Sequence, residues 1–154
     1  MLPMWPFNRR SVTHRTFGQI HPVRNGRFWK AAVSFESIRD PVELQINAGE
    51  EGPAEAQEKL YQLLQSHFRK VLQVALRSVH GEYQRVTHAQ PQVQWPAVSS
   101  LRDQLSATPL DGVWLEDNLG HRFVLSFRAE VDKEQHFHVF FHHWKVESVA
   151  SERF

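Results

Sequence analysis

The pattern of apolar and polar residues changes its period twice along the chain. Near residues 42–47, apolar Val42, Leu44 and Ile46 alternate with polar residues, which predicts a strand with one buried face. Between residues 53 and 84, apolar residues recur at steps of three and four, which predicts an amphipathic helix. From residue 113 the alternation returns. We therefore predict an α+β fold, with strands on both sides of a central helical segment.

The first strands are predicted to form a three-stranded β-meander. Asn25-Gly26 supplies the positive φ angles of a tight hairpin turn, and the sequence on both sides of it is strand-like. This places strands near residues 14–22 and 27–36. The strand that begins at Val42 completes the meander and leads into the helical segment.

The predicted helix begins directly after a turn. Gly52 falls at the N-cap and Pro53 at the first helical position, where a missing N–H leaves no partner unsatisfied. An unbroken helix over 53–84 would be about 48 Å long at ~1.5 Å per residue, which exceeds the ~40 Å width of a compact domain. We therefore predict a break near Ser66-His67. The apolar stripe that should face the core comprises Leu60, Leu64, Phe68, Val71, Leu72, Ala75, Val79 and Tyr83.

The C-terminal part is predicted to be a second antiparallel β-meander. A proline-containing loop at 86–98 and a short serine-capped helix at 99–105 precede it. Strand patterns follow at 113–115 and from Phe123, and residues 136–149 are typical of one strand or of a hairpin. The sequence leaves open whether the two meanders form one sheet or pack separately against the helix.

Composition limits the class of protein. The chain has 154 residues, no cysteine and a formal net charge of +1, so disulfides, thiol nucleophiles and zinc–thiolate sites are excluded. We interpret residues 1–12 as a flexible lead, residues 13–150 as one domain and residues 151–154 as a tail. The first residues lack the apolar core of a signal peptide, and no apolar run reaches about eighteen residues. We therefore predict a cytoplasmic protein that is not bound to a membrane.

Acidic residues concentrate just before the predicted helix and at its start. Residues 36–60 contain seven acidic and two basic side chains. We predict that this cluster binds a basic protein partner, because charge complementarity accelerates association and fixes its register. The alternative is that the acids at the helix start only complement the helix dipole. The candidate partner-binding residues are Glu43, Glu50, Glu51, Glu55 and Glu58.

A histidine-rich segment lies near the C-terminus. On one continuous strand, His136, His138 and His142 would share a face with Phe140 and Trp144. Two imidazoles that are two residues apart can reach one zinc, iron or copper ion. A metal site also needs a third ligand and supporting groups, and neither an HExxH motif nor a carboxylate at a characteristic spacing supplies them. We expect no bound metal and no cofactor, and these three histidines are the candidate ligands of the alternative class, a metal-binding enzyme or sensor.

Two other functional classes have weaker support. The first 35 residues contain six basic side chains and no acidic one, interleaved with aromatic rings, as in surfaces that bind phosphates and stack bases. Since alternation places Trp29 on a core face, we favour a solvated basic edge over nucleic-acid binding. Nucleophile elbows, Ser-x-x-Lys motifs and glycine-rich phosphate loops are absent from the sequence, which argues against an enzyme. The residues concerned are Arg9, Arg10, Arg15, Arg24, Arg27 and Lys30 with Trp5, Phe7, Phe17, Phe28 and Trp29.

Three strings of the sequence, in this order of elements, resemble a family of uncharacterised bacterial proteins. They are RFWKAAVSF, PVELQINAGEEGPAEAQ and VDKEQHFHVFFHHWKVESV. The resemblance spans about residues 14–150 and is most specific at Glu50-Glu51-Gly52-Pro53 with Glu55 and Gln57. This chain departs from the family pattern in two places. The prolines that divide the helical pair are replaced by Arg69 and Gln73, and the glycines of the last strand and its turn by His136, His138 and the His143-Trp144 pair.

The resemblance implies a fold in which an acidic turn leads into a helical pair between two β-meanders. It also indicates accessory proteins of bacterial gene clusters, including toxin-immunity proteins. From the residues and the resemblance together, we predict a non-enzymatic protein-binding module, with neutralisation of a cognate toxin as the most specific version.

Overall fold

Within the described residues, the chain folds into four strands, three helices and four further strands. The computed structural model describes residues 11–23 and 26–154, and most of the predicted lead, together with residues 24–25 of the predicted turn, lies outside them. The elements are β1 (Val12–His14), β2 (Gly18–Val23), β3 (Phe28–Val33), β4 (Val42–Asn47), α1 (Glu55–Ser66), α2 (Phe68–Ala89), α3 (Leu101–Ala107), β5 (Leu110–Leu115), β6 (Arg122–Arg128), β7 (Gln135–His142) and β8 (Lys145–Arg153).

All eight strands form one continuous sheet in chain order. Neighbouring strands are antiparallel except β4 and β5, which are parallel because the three helices connect them as a crossover. The α+β class is confirmed. The N-terminal part has four strands instead of the predicted three, because a turn at residues 15–17 divides the strand predicted at 14–22; β2, β3 and β4 pair in the predicted antiparallel order. The two halves of the chain share this one sheet, which settles the alternative that the sequence left open.

Alternation along the strands gives the sheet one face under the helices and one face away from them. On the helix side, Leu44 of β4 pairs with Val113 of β5, and both side chains are fully buried in the core. The opposite side, called the open face below, carries Trp114, Val124 and Phe140 as neighbours across β5, β6 and β7. Val124 is 0% exposed yet does not belong to the main core, so the open face has a small apolar centre of its own.

A single residue, His67, separates α1 from α2. Its N–H still donates to Leu63 O at 3.0 Å, but its φ of −114° departs from helical geometry. The predicted break near Ser66-His67 is therefore confirmed. The second helix continues to Ala89, beyond the predicted end at residue 84.

The first helix begins at Glu55 and not at Pro53. Ala54 is the N-cap residue, and its N–H donates to Gln57 Oε1 at 2.9 Å. The other end of the same fully buried amide donates to Asn47 O at 2.7 Å, which ties the start of the helix to the end of β4. Gly52 lies in the preceding turn with φ +87°, a value that favours glycine. The prediction of Gly52 as N-cap is therefore wrong, and its role is to form the turn.

The predicted apolar stripe is buried at all of its positions, from Leu60 to Tyr83, which confirms the helix face that packs on the sheet. Gln65 lies on the predicted polar side, yet its amide donates to Ser34 O at 2.9 Å and to Tyr61 Oη at 2.8 Å. It therefore belongs to the contact between α1 and the end of β3. Among the described residues, no helix is both long and apolar enough to cross a membrane.

Two predicted features of the C-terminal part are confirmed. Ser100 caps α3, because its Oγ accepts a hydrogen bond from the Asp103 N–H at 3.1 Å. The segment 136–149 belongs to a hairpin, in which β7 and β8 pair around a two-residue turn at His143-Trp144. The last strand continues to Arg153, so most of the predicted tail is part of the sheet.

Candidate functional site

Two of the five predicted partner-binding acids, Glu58 and Glu43, bind basic side chains of the N-terminal strands and turns. Glu58 is only 7% exposed, and its carboxylate accepts hydrogen bonds from Arg15 Nε at 3.0 Å and from Thr16 Oγ1 at 2.6 Å. The bonds from Arg15 and then from Thr16 lower the pKa of Glu58 to about 2. Glu43 projects from β4 and pairs with Lys30 at 2.8 Å. The interpretation of Glu58 as a surface acid is wrong, because its carboxylate fastens the β1–β2 turn to α1.

The other three predicted acids, Glu50, Glu51 and Glu55, are exposed between β4 and α1. The fold brings two further acids to them from the end of β5. Glu116 and Asp117 line a cleft of about 500 Å³ together with Glu51, and no basic residue lines it. We call this the acidic cleft.

The acidic cleft is built by contacts between the two halves of the chain. Asn47 Nδ2, at the end of β4, donates to Glu116 O at 3.3 Å. Gly120 has φ +73°, and a Cβ at this position would lie 2.6 Å from Ala56 O. Only glycine therefore lets the turn after β5 approach the start of α1.

Burial raises the pKa of Glu116, the carboxylate that the structure adds to the cleft. The neighbouring carboxylates Asp117 and Glu147 act in the same direction, whereas Arg122 opposes them. Burial is thus the main cause that disfavours the ionised form of Glu116, and the neighbouring carboxylates add a smaller contribution.

On β7 the predicted histidine face is confirmed for His136, His138 and His142, which alternate with core residues. Trp144 does not share it, because the strand ends at His142 and Trp144 lies in the turn. His138 is 4% exposed and uses both ring nitrogens: Nδ1 is 3.0 Å from Ser126 Oγ, and Nε2 is 3.0 Å from Glu152 Oε2.

The Ser126, His138 and Glu152 side chains have the order of a serine–histidine–carboxylate triad. An ionised carboxylate can only accept, so in a neutral imidazole Nε2 would carry the proton and Nδ1 would accept from the serine hydroxyl. A nucleophile must also meet its substrate, and Ser126 is only 3% exposed between β5 and β7. We therefore assign these three side chains to a polar link across β6, β7 and β8, which also leaves His138 without a free nitrogen for a metal.

Three imidazoles gather at the other end of β7. The ring of His143 lies 4.5 Å from that of His121 and 4.3 Å from that of His142, between ring centroids. Desolvation and then the neighbouring charges of these two rings lower the pKa of His143. Within the described part of the chain, no group of three or more His, Asp or Glu side chains could hold a metal ion. The absence of a bound metal stays a prediction.

The described members of the basic and aromatic N-terminal set are largely occupied. Arg15 binds Glu58 and Lys30 binds Glu43, while Phe17 and Trp29 are 4% and 5% exposed. Arg27 is exposed and Phe28 is partly buried, whereas the cations at positions 9, 10 and 24 and the rings at positions 5 and 7 lie outside the described residues.

A groove on the helix side of the protein is lined almost entirely by apolar side chains. It encloses about 350 Å³ between the α1–α2 junction and the turn of the β7–β8 hairpin. Three of its walls are unusually exposed for large apolar residues: Leu63 is 48%, Val74 is 40% and Trp144 is 39% exposed. We call it the helix groove, and its lining residues are Leu63, His67, Lys70, Val71, Val74, Phe141 and Trp144.

Trp144, which forms one side of the helix groove, lies in a turn with a strained backbone. His143 has φ +50° and Trp144 has φ +69°, between the paired residues His142 and Lys145. Positive φ at both central residues defines a type I′ turn, which Asn-Gly normally occupies. The Trp144 ring nevertheless packs 5.4 Å from the ring of Phe123, which anchors it to the core.

Sequence reasoning missed both the polar link and the helix groove. Ser126 and Glu152 are twelve and fourteen residues from His138, so no local spacing indicates that they meet. The helix groove did leave a signal, because Leu63 and Val74 are apolar residues outside the predicted stripe. Local spacing could not indicate that the β7–β8 turn forms one side of this groove, because the turn lies beside α1 and α2 only as a result of the order of the strands in the sheet.

Comparison with known proteins finds no family model, curated protein or solved structure that matches this chain. The geometry of the described residues is therefore the basis on which a function is assigned.

Proposed function

We propose that this protein is a non-enzymatic protein-binding module and that the helix groove is its binding surface. The observation that supports this is the gathering of Leu63, Val74 and Trp144, all about half exposed, around one groove. Single exposed apolar residues are common on protein surfaces, but a contiguous set of them marks an interaction site. Aromatic anchors such as tryptophan contribute disproportionately to binding energy at such sites.

The lining of the helix groove favours binding over catalysis. Its two polar members, His67 and Lys70, are both exposed on the outer side of the helices. No acid and no hydroxyl nucleophile lines the groove, so it lacks the paired proton donor and acceptor that general acid–base chemistry needs.

The most specific version of this function is neutralisation of a cognate toxin. It is supported by the resemblance to accessory proteins of gene clusters and by the presence of two candidate surfaces of different chemistry. The acidic cleft, lined by Glu51, Glu116 and Asp117 and followed by the exposed Glu55 at the start of α1, is the surface that would take a basic partner. A cytoplasmic location accompanies this proposal as a prediction.

Capture of the protein encoded by a neighbouring gene tests the proposal. The variant Leu63→Asp/Val74→Asp places two charges in the helix groove at positions that are already half exposed, so the fold should persist. We expect at least about tenfold weaker capture, since the loss of a groove anchor typically costs ~2 kcal/mol of binding energy. If the neighbouring gene encodes a toxin, the same variant should fail to restore growth on co-expression.

Val131→Asp is the matched control, because Val131 is 47% exposed and lies in the β6–β7 turn at the other end of β7. It should leave capture unchanged. A parallel variant, Glu51→Gln/Glu55→Gln, tests the acidic cleft. Equal capture by wild type and the groove variant would refute the helix groove as the binding surface, and loss of capture only in the Gln variant would assign the function to the acidic cleft.

A further inference from the structure

We infer that the helix groove takes a helical segment of its partner that is amphipathic and net acidic. This inference rests on the proposed function and adds the chemistry of the partner. The observation that carries it is an apolar groove between α1, α2 and the hairpin turn whose lining contains a cation, Lys70, and no acid.

The shape of the helix groove fits a helix better than an extended strand. Its walls are side chains of α1, α2 and the hairpin turn, and no open strand edge lines it. A strand laid there would leave its backbone groups without partners, whereas a helix satisfies its own. Along α2 the groove runs from His67 to Val74, about two helical turns or roughly 10 Å at ~1.5 Å per residue. Apolar anchors at positions i, i+3 or i+4, and i+7 of a partner helix would match this length.

The charge around the helix groove determines the sign of the partner. Residues 59–81 contain no acidic side chain. Lys70 lines the groove, Arg77 lies two helical turns further along α2, and Lys145 follows Trp144 in the hairpin. None of these three cations forms an ion pair with another described residue. Carboxylates on the flanks of a partner helix would meet them, which favours association and disfavours a basic partner.

Selection of peptides from a random 16-residue display library on the full chain tests this inference. The Leu63→Asp/Val74→Asp variant serves for counter-selection, so that only peptides that depend on the helix groove are retained. We expect the retained peptides to share apolar residues at helical spacing and a net negative charge. The affinity of the best peptide is then measured by fluorescence anisotropy at low and high salt.

Lys70→Glu should weaken binding of that peptide by about five- to tenfold at low salt, and less at high salt. A peptide with lysine in place of its acids should reverse this preference and bind Lys70→Glu more tightly than wild type. Lys133→Glu is the matched control, since Lys133 is exposed in the β6–β7 turn, where its ion pair among the described residues is a surface pair with Glu130. It should leave binding of the peptide unchanged.

The outcomes separate this inference from the function on which it rests. The inferred acidic partner would be contradicted if the groove-dependent peptides were neutral or basic, or if Lys70→Glu did not change their affinity. The helix groove would then remain a binding surface. The absence of any groove-dependent peptide would overturn both.

Discussion

Replacement of Glu58 by glutamine tests whether the acid cluster serves the fold or a partner. The variant removes the charge that binds Arg15 while keeping the size of a side chain that is 7% exposed. It also weakens acceptance of the Thr16 hydroxyl, which lies 2.6 Å from Glu58 Oε1. Because these contacts join the β1–β2 turn to α1, their loss should appear as reduced stability and not as altered binding.

The magnitude follows from the pKa of Glu58. A value of about 2 in the folded protein against 4.5 for the free group corresponds to roughly 3 kcal/mol, at ~1.4 kcal/mol per pKa unit. The Arg15 side chain is 79% exposed, so water and salt screen much of this interaction. We therefore expect Glu58→Gln to lower the free energy of unfolding by about 1–2 kcal/mol at neutral pH.

The pH dependence has a definite sign. The folded state depresses the pKa of Glu58, so its contribution is fully present above the unfolded value of 4.5 and disappears as pH falls through about 2. Urea unfolding over this range should show the wild type and Glu58→Gln converging in acid. Glu55→Gln is the control on the same helix, since Glu55 is 77% exposed and, among the described residues, forms a long surface ion pair with Lys59 at 3.7 Å. Equal destabilisation by the two variants at neutral pH would refute the assignment of Glu58 to the interior.

Two further predictions concern the core and the hairpin turn. Leu64→Asp or Leu72→Asp would bury an unpaired charge at positions that are 0% and 5% exposed, and should cost several kcal/mol, on the order of 3–5. Gln73→Asp, on the exposed side of α2, should cost less than about 0.5 kcal/mol, and equal thermal shifts would contradict the assigned helix face. His143→Asn should raise the free energy of unfolding by about 0.5–1 kcal/mol, because asparagine tolerates the left-handed conformation, and should leave partner capture unchanged; destabilisation in urea would show that the His143 ring contributes more than the turn costs.

Much of the fold could be predicted from the sequence, because the buried face of a helix or strand follows from the spacing of apolar residues within that element. The alternation of Val42, Leu44 and Ile46 and the stripe from Leu60 to Tyr83 each depend only on the period of one element. The break at His67 could be predicted from the length of the helical segment alone, since a straight helix over residues 53–84 would be longer than a compact domain is wide. The turn at residues 15–17 was missed because Arg-Thr-Phe carries no strong turn residue before Gly18.

The candidate site could not be predicted in the same way, because its contacts join distant parts of the chain. Arg15 and Glu58 are 43 residues apart, so the acid that looked most like part of a surface cluster was in fact paired. The acidic cleft needs Glu116 beside Asn47, which depends on β4 and β5 being parallel neighbours. Counting charges along the sequence therefore identified a region rich in acids. It did not indicate that Glu58, unlike the exposed acids, is paired inside the fold.

The residues of the β7–β8 turn, His143 and Trp144, are not the ones that the turn geometry favours. A type I′ turn between β7 and β8 would form most easily with Asn-Gly, and each other L-residue in the left-handed region costs roughly 1 kcal/mol or more. Packing of Trp144 on Phe123, which itself stacks on Phe141 at 4.6 Å, offsets part of that cost. The packing is incomplete, because 39% of Trp144 stays exposed over the helix groove. The hairpin alone does not require tryptophan there, whereas the proposed binding role would, because a rigid aromatic side chain is a typical anchor at protein interfaces.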